Sequence, residues 1–214
     1  MSSEKPLLLI ISSPSGAGKT TLTARLLAEV TGLTFSISHT TRKPRQRETN
    51  GKEYHFVSRE EFERLIVAGA FLEWAEVHGN LYGTSKGEIH RRSGDRVIVF
   101  DIDHQGARQI KCAAPDSVAV FILPPSMGVL EQRLRGRASE DEETVQKRFS
   151  VAKGEIAHYG LFDYVLVNEA LEEATRKLVS IFLAEECRRS RVAALAESFL
   201  AEGRLHSHPI KTHP

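Results

Sequence analysis

Ser12-Ser13-Pro14-Ser15-Gly16-Ala17-Gly18-Lys19-Thr20-Thr21 follows the apolar run Leu7–Ile11 and leads into Leu22, Leu26, Leu27 and Val30 at helical spacing. A buried strand, a turn of small residues and a helix start are the parts of a phosphate-binding loop. Gly16 and Gly18 let backbone N–H groups close around an anion, because no Cβ bars positive φ or close approach. Lys19 would place an ammonium between β- and γ-phosphates, and the Thr20 hydroxyl would ligate Mg²⁺. The usual pattern opens with glycine, and Ser13 stands there instead. The glycine spacing and the Gly-Lys-Thr end are kept. Ser13, Pro14, Ser15, Gly16, Ala17, Gly18, Lys19, Thr20 and Thr21 are therefore expected to surround the phosphates of a nucleoside triphosphate.

The 214 residues suffice for one substantial core with a small insertion. A net charge of +1 gives no bulk attraction to nucleic acid or to an acidic membrane. Charge is uneven locally: Arg42, Lys43, Arg45 and Arg47 form one basic run, Arg133, Arg135 and Arg137 another, with Glu140–Glu143 directly after it. Two cysteines, Cys112 and Cys187, lack the spacing of a disulfide framework or a metal site, which fits a reducing, cytoplasmic setting. The apolar run at the N-terminus is too short for a signal or membrane helix.

Further along, Phe35–Ser38 reads as a short strand and Asn50-Gly51 as a tight turn. Ser58-Arg59-Glu60-Glu61 is a capping box for a helix that Gly69 ends. Phe71–Val77 reads as a strand, and Gly79-Asn80 as a turn. Residues 34–95 thus look like an insertion beside the main sheet. That sheet resumes with Val97–Asp101, followed by a helix over 104–113, the strand Val118–Leu123 and a helix carrying Met127, Leu130 and Leu134. Ser139-Glu140-Asp141-Glu142 is a second capping box, opening a helix through Arg148. Tyr164–Val167 is another strand, and a long helical stretch from Leu171 is broken at Gly203. Strands alternating with helices predict an α/β fold with a central parallel sheet, the ligand lying outside the carboxyl ends of its strands. Residues 204–214 are expected to form a disordered tail.

Asp101 ends a buried apolar strand, where a carboxylate must face a cation or water. In a phosphate-loop protein that place belongs to the acid that holds Mg²⁺. Asp103 points to the same side and also suits a helix N-cap. The arginines after Phe35–Thr41 suit a second phosphate, being planar, bidentate donors. Ser38 and Thr84 add hydroxyls, Glu73 a carboxylate, and Tyr54 and Tyr82 phenols. Guanine presents an O6 acceptor beside N1–H and N2–H donors, which hydroxyls and a carboxylate can match.

The loop, Ser38–Arg45, Asn50–Tyr54, Phe71–Trp74, Gly79–Thr84, Asp101–Asp103 and the arginine-rich stretch together resemble guanylate kinases over nearly all of residues 5–200. The resemblance implies transfer of the γ-phosphoryl of ATP to GMP, with dGMP a second expected acceptor and Mg²⁺ as cofactor. It implies a three-layer phosphate-loop core over 5–33 and 96–203, a lid near 136–150 and a mixed α+β GMP-binding subdomain over 34–95. By that similarity Ser38 and Thr84 read guanine O6, and Glu73 reads N1–H and N2–H with Asp103 close by. Arg42, Arg45, Tyr54 and Tyr82 would hold the GMP phosphate, and Asn168 would lie near the adenine. Thr84 replaces the family's frequent serine and keeps the hydroxyl.

Phosphoryl transfer depends on positioning and charge neutralisation, so Lys19, Mg²⁺ and the lid arginines Arg137, Arg148 and Arg133 are the expected catalytic groups. No partner nucleic acid or membrane is expected, and the oligomeric state stays open. Two rivals remain: a non-catalytic scaffold module of the same fold, and a phosphate-loop kinase for another acceptor. Lys19, Thr20 and Asp101 speak against the first; Glu73 with Ser38 and Thr84 speaks against the second.

Overall fold

The computed structural model describes residues 6–77, 79–136 and 142–205. The chain divides into two compact units, Met1–Val179 and Ser180–Pro214. Among the described residues the strands are β1 (Leu7–Ser12), β2 (Leu33–Phe35), β3 (His39–Thr40), β4 (His55–Phe56), β5 (Phe71–Val77), β6 (Asn80–Ser85), β7 (Val97–Asp101), β8 (Val118–Leu123) and β9 (Tyr164–Val167). The helices are α1 (Lys19–Glu29), α2 (Arg59–Val67), α3 (Lys86–Arg91), α4 (His104–Ala113), α5 (Met127–Arg135), α6 (Glu142–Ile156), α7 (Leu171–Glu186) and α8 (Arg189–Leu205).

Five strands form one sheet in the order β2-β7-β1-β8-β9, every pair parallel. The expected α/β class with a central parallel sheet is the observed one. β7 and β8 are buried almost without alternation, as uninterrupted apolar runs require when both faces of a sheet are covered. Ile10, Ile98, Phe100, Ala119 and Phe121 pack with Ala107 and Ile110 of α4 in the main core. The register sets Ile11 of β1 beside Asp101 of β7, so the phosphate loop and that carboxylate leave the sheet at the same edge.

A second, four-stranded sheet runs β4-β3-β6-β5 and lies between the halves of the main fold in sequence. Ser58 caps α2 by accepting from Glu61 N–H at 3.1 Å, and Gly69, at φ 61°, follows its end. Both are as the capping pattern indicated.

The expected strand over Phe35–Ser38 is displaced and divided. β2 ends at Phe35; Ser36 N–H still donates to Val99 O of the first sheet at 2.9 Å. Ile37 N–H turns to the Glu88 carboxylate at 3.0 Å, and Ser38 O accepts from His55 N–H in the second sheet at 2.9 Å. The chain therefore changes sheets inside an apparently continuous strand, and a buried carboxylate 51 residues away takes the N–H orphaned at the crossing.

The helical stretch from Leu171 is broken at Cys187–Arg188 rather than at Gly203, which lies inside α8. Cys187 and Arg188 N–H groups bond to Ala184 and Glu185 carbonyls, three residues back, a tightened final turn that no glycine or proline announces. Arg204 and Leu205, expected in the tail, are helical; the rest of the tail lies outside the described residues. Ser139, Glu140 and Asp141 of the second capping box also lie outside them, while Glu142 opens α6. No helix of the described residues is long and apolar enough to cross a membrane.

Candidate active site

The loop Ser13–Gly18 joins β1 to α1, and Gly16 and Gly18 take φ values of 92° and 95°. These left-handed conformations turn the chain into α1, whose first N–H groups lack intrahelical partners and take no side-chain cap at Gly18. Space matters as much as φ at Gly18: a Cβ there would stand 2.3 Å from Asn168 Nδ2. The Asn168 amide donates to Ala17 O at 2.8 Å, so this buried residue after β9 braces the loop from within the protein. Arg133 of α5 donates to the same Ala17 O at 3.3 Å and to Asn168 O at 3.4 Å. Arg148 of α6 reaches Ser15 Oγ at 3.2 Å. Arg137 lies outside the described residues.

Lys19 forms an ion pair with Asp101 at the end of β7, giving that strand-end carboxylate the cation it needs. Thr20 and Asp101 offer hydroxyl and carboxylate oxygens on one cavity wall, hard donors of the kind Mg²⁺ takes in ones and twos. Asp103 caps α4, its Oδ1 accepting from Gln105 and Gly106 N–H at 3.0 Å each, and it lines the same cavity.

Across the cavity, Glu73 occupies an inward position of β5 between Phe71 and Ala75. A bulge between Phe71 and Glu73 shifts the register by one residue and sets Glu73 opposite Thr84 of β6. Glu73 Oε1 accepts from Thr84 N–H at 2.7 Å, and the hydroxyls of Thr84 and Ser38 meet at 3.0 Å. Gly106 of α4 makes room for the other oxygen, since a Cβ there would stand 2.6 Å from Glu73 Oε2. With 3% of its surface exposed, Glu73 has its carboxyl pushed up from 4.5 to about 7. Burial is the main cause; the hydrogen bonds from Thr84 oppose it, and the charge of Asp103 adds to it.

Tyr54 and Tyr82 stand edge to face with centroids 6.0 Å apart, and the Arg42 guanidinium lies 5.4 Å from the Tyr54 ring centre. Glu48 holds Arg42 at 2.9 Å and accepts from Arg45 N–H at 2.7 Å. Burial raises the Tyr54 phenol above its usual range, so it remains a donor at neutral pH. Arg45 itself is exposed, and neither it nor Arg42 is among the described residues that line the cavity.

One cavity of about 310 Å³ is lined by the loop from Ser13 to Thr20 except the fully buried Ala17, by Asp101 and Asp103, and by Ser38, Tyr54, Glu73 and Tyr82. It is continuous from the phosphate loop to the buried carboxylate. Sequence reasoning missed Glu155, whose Oε2 accepts from Ser15 N–H at 3.1 Å. Its spacing from Arg148, seven residues on one helix, was the available signal. Glu48 and Gly106 were missed as well; neither carries a mark in the sequence that separates it from surface charge or a helix glycine.

The guanylate kinase family model matches residues 5–185. The chain belongs to the guanylate kinase family. It is 50% identical over 185 residues to the guanylate kinase of Neisseria gonorrhoeae, covering 86% of this chain and 90% of that one. To the guanylate kinase of Symbiobacterium thermophilum it is 45% identical, covering 94% of this chain and 96% of the relative. The crystal structure of guanylate kinase from Anaplasma phagocytophilum superposes with a TM-score of 0.73 at 34% identity, covering 91% of this chain and 95% of that one.

Proposed function

We propose that the two ends of this cavity divide the family's reaction between them, with donor phosphates on the loop and the acceptor base on Glu73. The chain is an ATP-dependent kinase that phosphorylates GMP to GDP. The observation that carries the division of labour is the unbroken cavity between Lys19 and Glu73. The loop amides and the Lys19 ammonium bind the β- and γ-phosphates. Thr20 and Asp101 are the donors that would hold Mg²⁺, which when bound neutralises charge on those phosphates. Asn168 serves the ATP site by bracing Ala17.

Segment 34–95 is the acceptor-binding piece, a reading supported by the second sheet lying wholly within it. There the Ser38 and Thr84 hydroxyls donate to guanine O6, and the Glu73 carboxylate accepts from N1–H and N2–H. Asp103 stays close by, holding α4 and Gly106 in place. Arg42, Arg45, Tyr54 and Tyr82 bind the GMP phosphate, and Glu48 positions both arginines. Arg148, Arg137 and Arg133, in and around the lid, neutralise charge spreading over the transferred group. Two exposed free thiols, Cys112 and Cys187, fit a cytoplasmic protein.

The test is ADP release with Mg-ATP and each of GMP, AMP, CMP and UMP. GMP is expected to lead AMP by about 10⁴ in kcat/KM, since AMP offers the buried carboxylate no matching donor pair. Equal use of AMP or UMP would overturn the acceptor assignment.

A further inference from the structure

Ser15 is held twice by one face of α6. Arg148 donates to its hydroxyl at 3.2 Å, and Glu155, seven residues further, accepts from its backbone N–H at 3.1 Å. Ala152 lies between them on that face, fully buried against Leu130 and Leu134 of α5. Those two leucines are also where the loop rests: a Cβ at Gly16 would stand 3.0 Å from Leu130 and 3.1 Å from Leu134. The Glu155 contact bridges 140 residues of sequence and faces the phosphate cavity. A carboxylate in a phosphate pocket is electrostatically unwelcome to the substrate, so its place there needs a structural return.

We infer that Glu155 is a positioning residue for phosphoryl transfer. By fixing the Ser15 N–H it sets the register of α6 against the phosphate loop and thereby aims Arg148 at the phosphates. Ser15 N–H is taken by this contact, which leaves the N–H groups at the start of α1 for the nucleotide. Glu155 acts through the loop and Arg148 rather than on the reacting atoms. The inference rests on the proposed role of Arg148 in the reaction.

The test is a double-mutant cycle of Glu155→Ala and Arg148→Ala, with Glu155→Gln beside it, following kcat and the KM of each nucleotide. A misplacement of about 1 Å can cost about 10²-fold in rate, so Glu155→Ala is expected to lower kcat by about 10- to 100-fold. Both KM values should stay within about twofold, because the loop amides and the guanine site remain. Glu155→Gln should recover most of the rate, since its amide oxygen still accepts from Ser15. In the Arg148→Ala background, Glu155→Ala should cost little more.

Unchanged kcat in Glu155→Ala overturns the inference. So does a Gln variant as slow as the Ala variant, or full additivity of the two substitutions. Tighter ATP binding in both Glu155 variants would also overturn it, because the carboxylate would then compete with phosphate rather than order the loop. Full activity in Arg148→Ala would instead sink the assignment of Arg148 on which the inference rests.

Discussion

Glu73 should make GMP use depend on pH, and the size of the effect follows from its burial. The rise of its carboxyl from 4.5 to about 7 corresponds to about 3 kcal/mol spent in ionising it inside the protein. Only the ionised form accepts from both guanine donors. At pH 6 about a tenth of the free protein carries it, and at pH 8 about nine tenths, a roughly tenfold difference. The second ionisation of the GMP phosphate, near pH 6, adds about twofold. The kcat/KM for GMP at saturating ATP reports ionisations of the ATP-bound protein and of free GMP, and with Glu73 titrating as in the free protein it should rise about 20-fold from pH 6 to 8. In Glu73→Gln the rise should shrink to about twofold. That variant should also lose at least about 10²-fold in kcat/KM, because an amide N–H₂ then faces a donor. Stability should move the other way. A carboxyl raised on folding contributes its stabilisation fully below pH 4.5 and loses it as pH climbs through about 7. Glu73→Gln should therefore melt above the native protein at pH 8, with the gap closing towards pH 5. An identical pH profile of kcat/KM in the two proteins would refute the argument.

Lys19→Ala should cut turnover by at least about 10³-fold, since it removes a cation from the transferring phosphates. Its pair with Asp101 is partly exposed and worth less than about 1 kcal/mol, so the melting temperature should barely move; a large drop would mean the lysine mainly holds the fold. Gly106→Ala should raise the KM for GMP about tenfold or more by pushing its Cβ against Glu73 Oε2, while the KM for ATP holds. Alanine is the better helix former, so a melting temperature that stays level or rises would separate site damage from instability. Unchanged GMP kinetics would show that Glu73 can shift without loss.

The motif Ser13–Thr21 with its strand and helix, and the uninterrupted apolar runs of β7 and β8, were legible because short-range chemistry sets them. A buried parallel strand must be apolar throughout, and a phosphate loop needs glycine at Gly16 and Gly18. Glu73 was marked as a carboxylate interrupting the apolar stretch Phe71–Trp74, and its role came from the family resemblance, since buried Glu88 shows that such a carboxylate can equally serve the fold. The sequence alone also marked Ser38, Thr84 and Asp101, but not their distances. Tertiary structure decided what depends on residues far apart in the chain. The change of sheets at Ile37 hangs on Glu88, the bulge before Glu73 on pairing with β6, and the grip on Ser15 on a helix 140 residues away. Each is a hydrogen bond whose partner has no fixed spacing, so no local pattern announces it. The raised carboxyl of Glu73 is tertiary too, since its burial arises only when α4 packs against β5 beside β6.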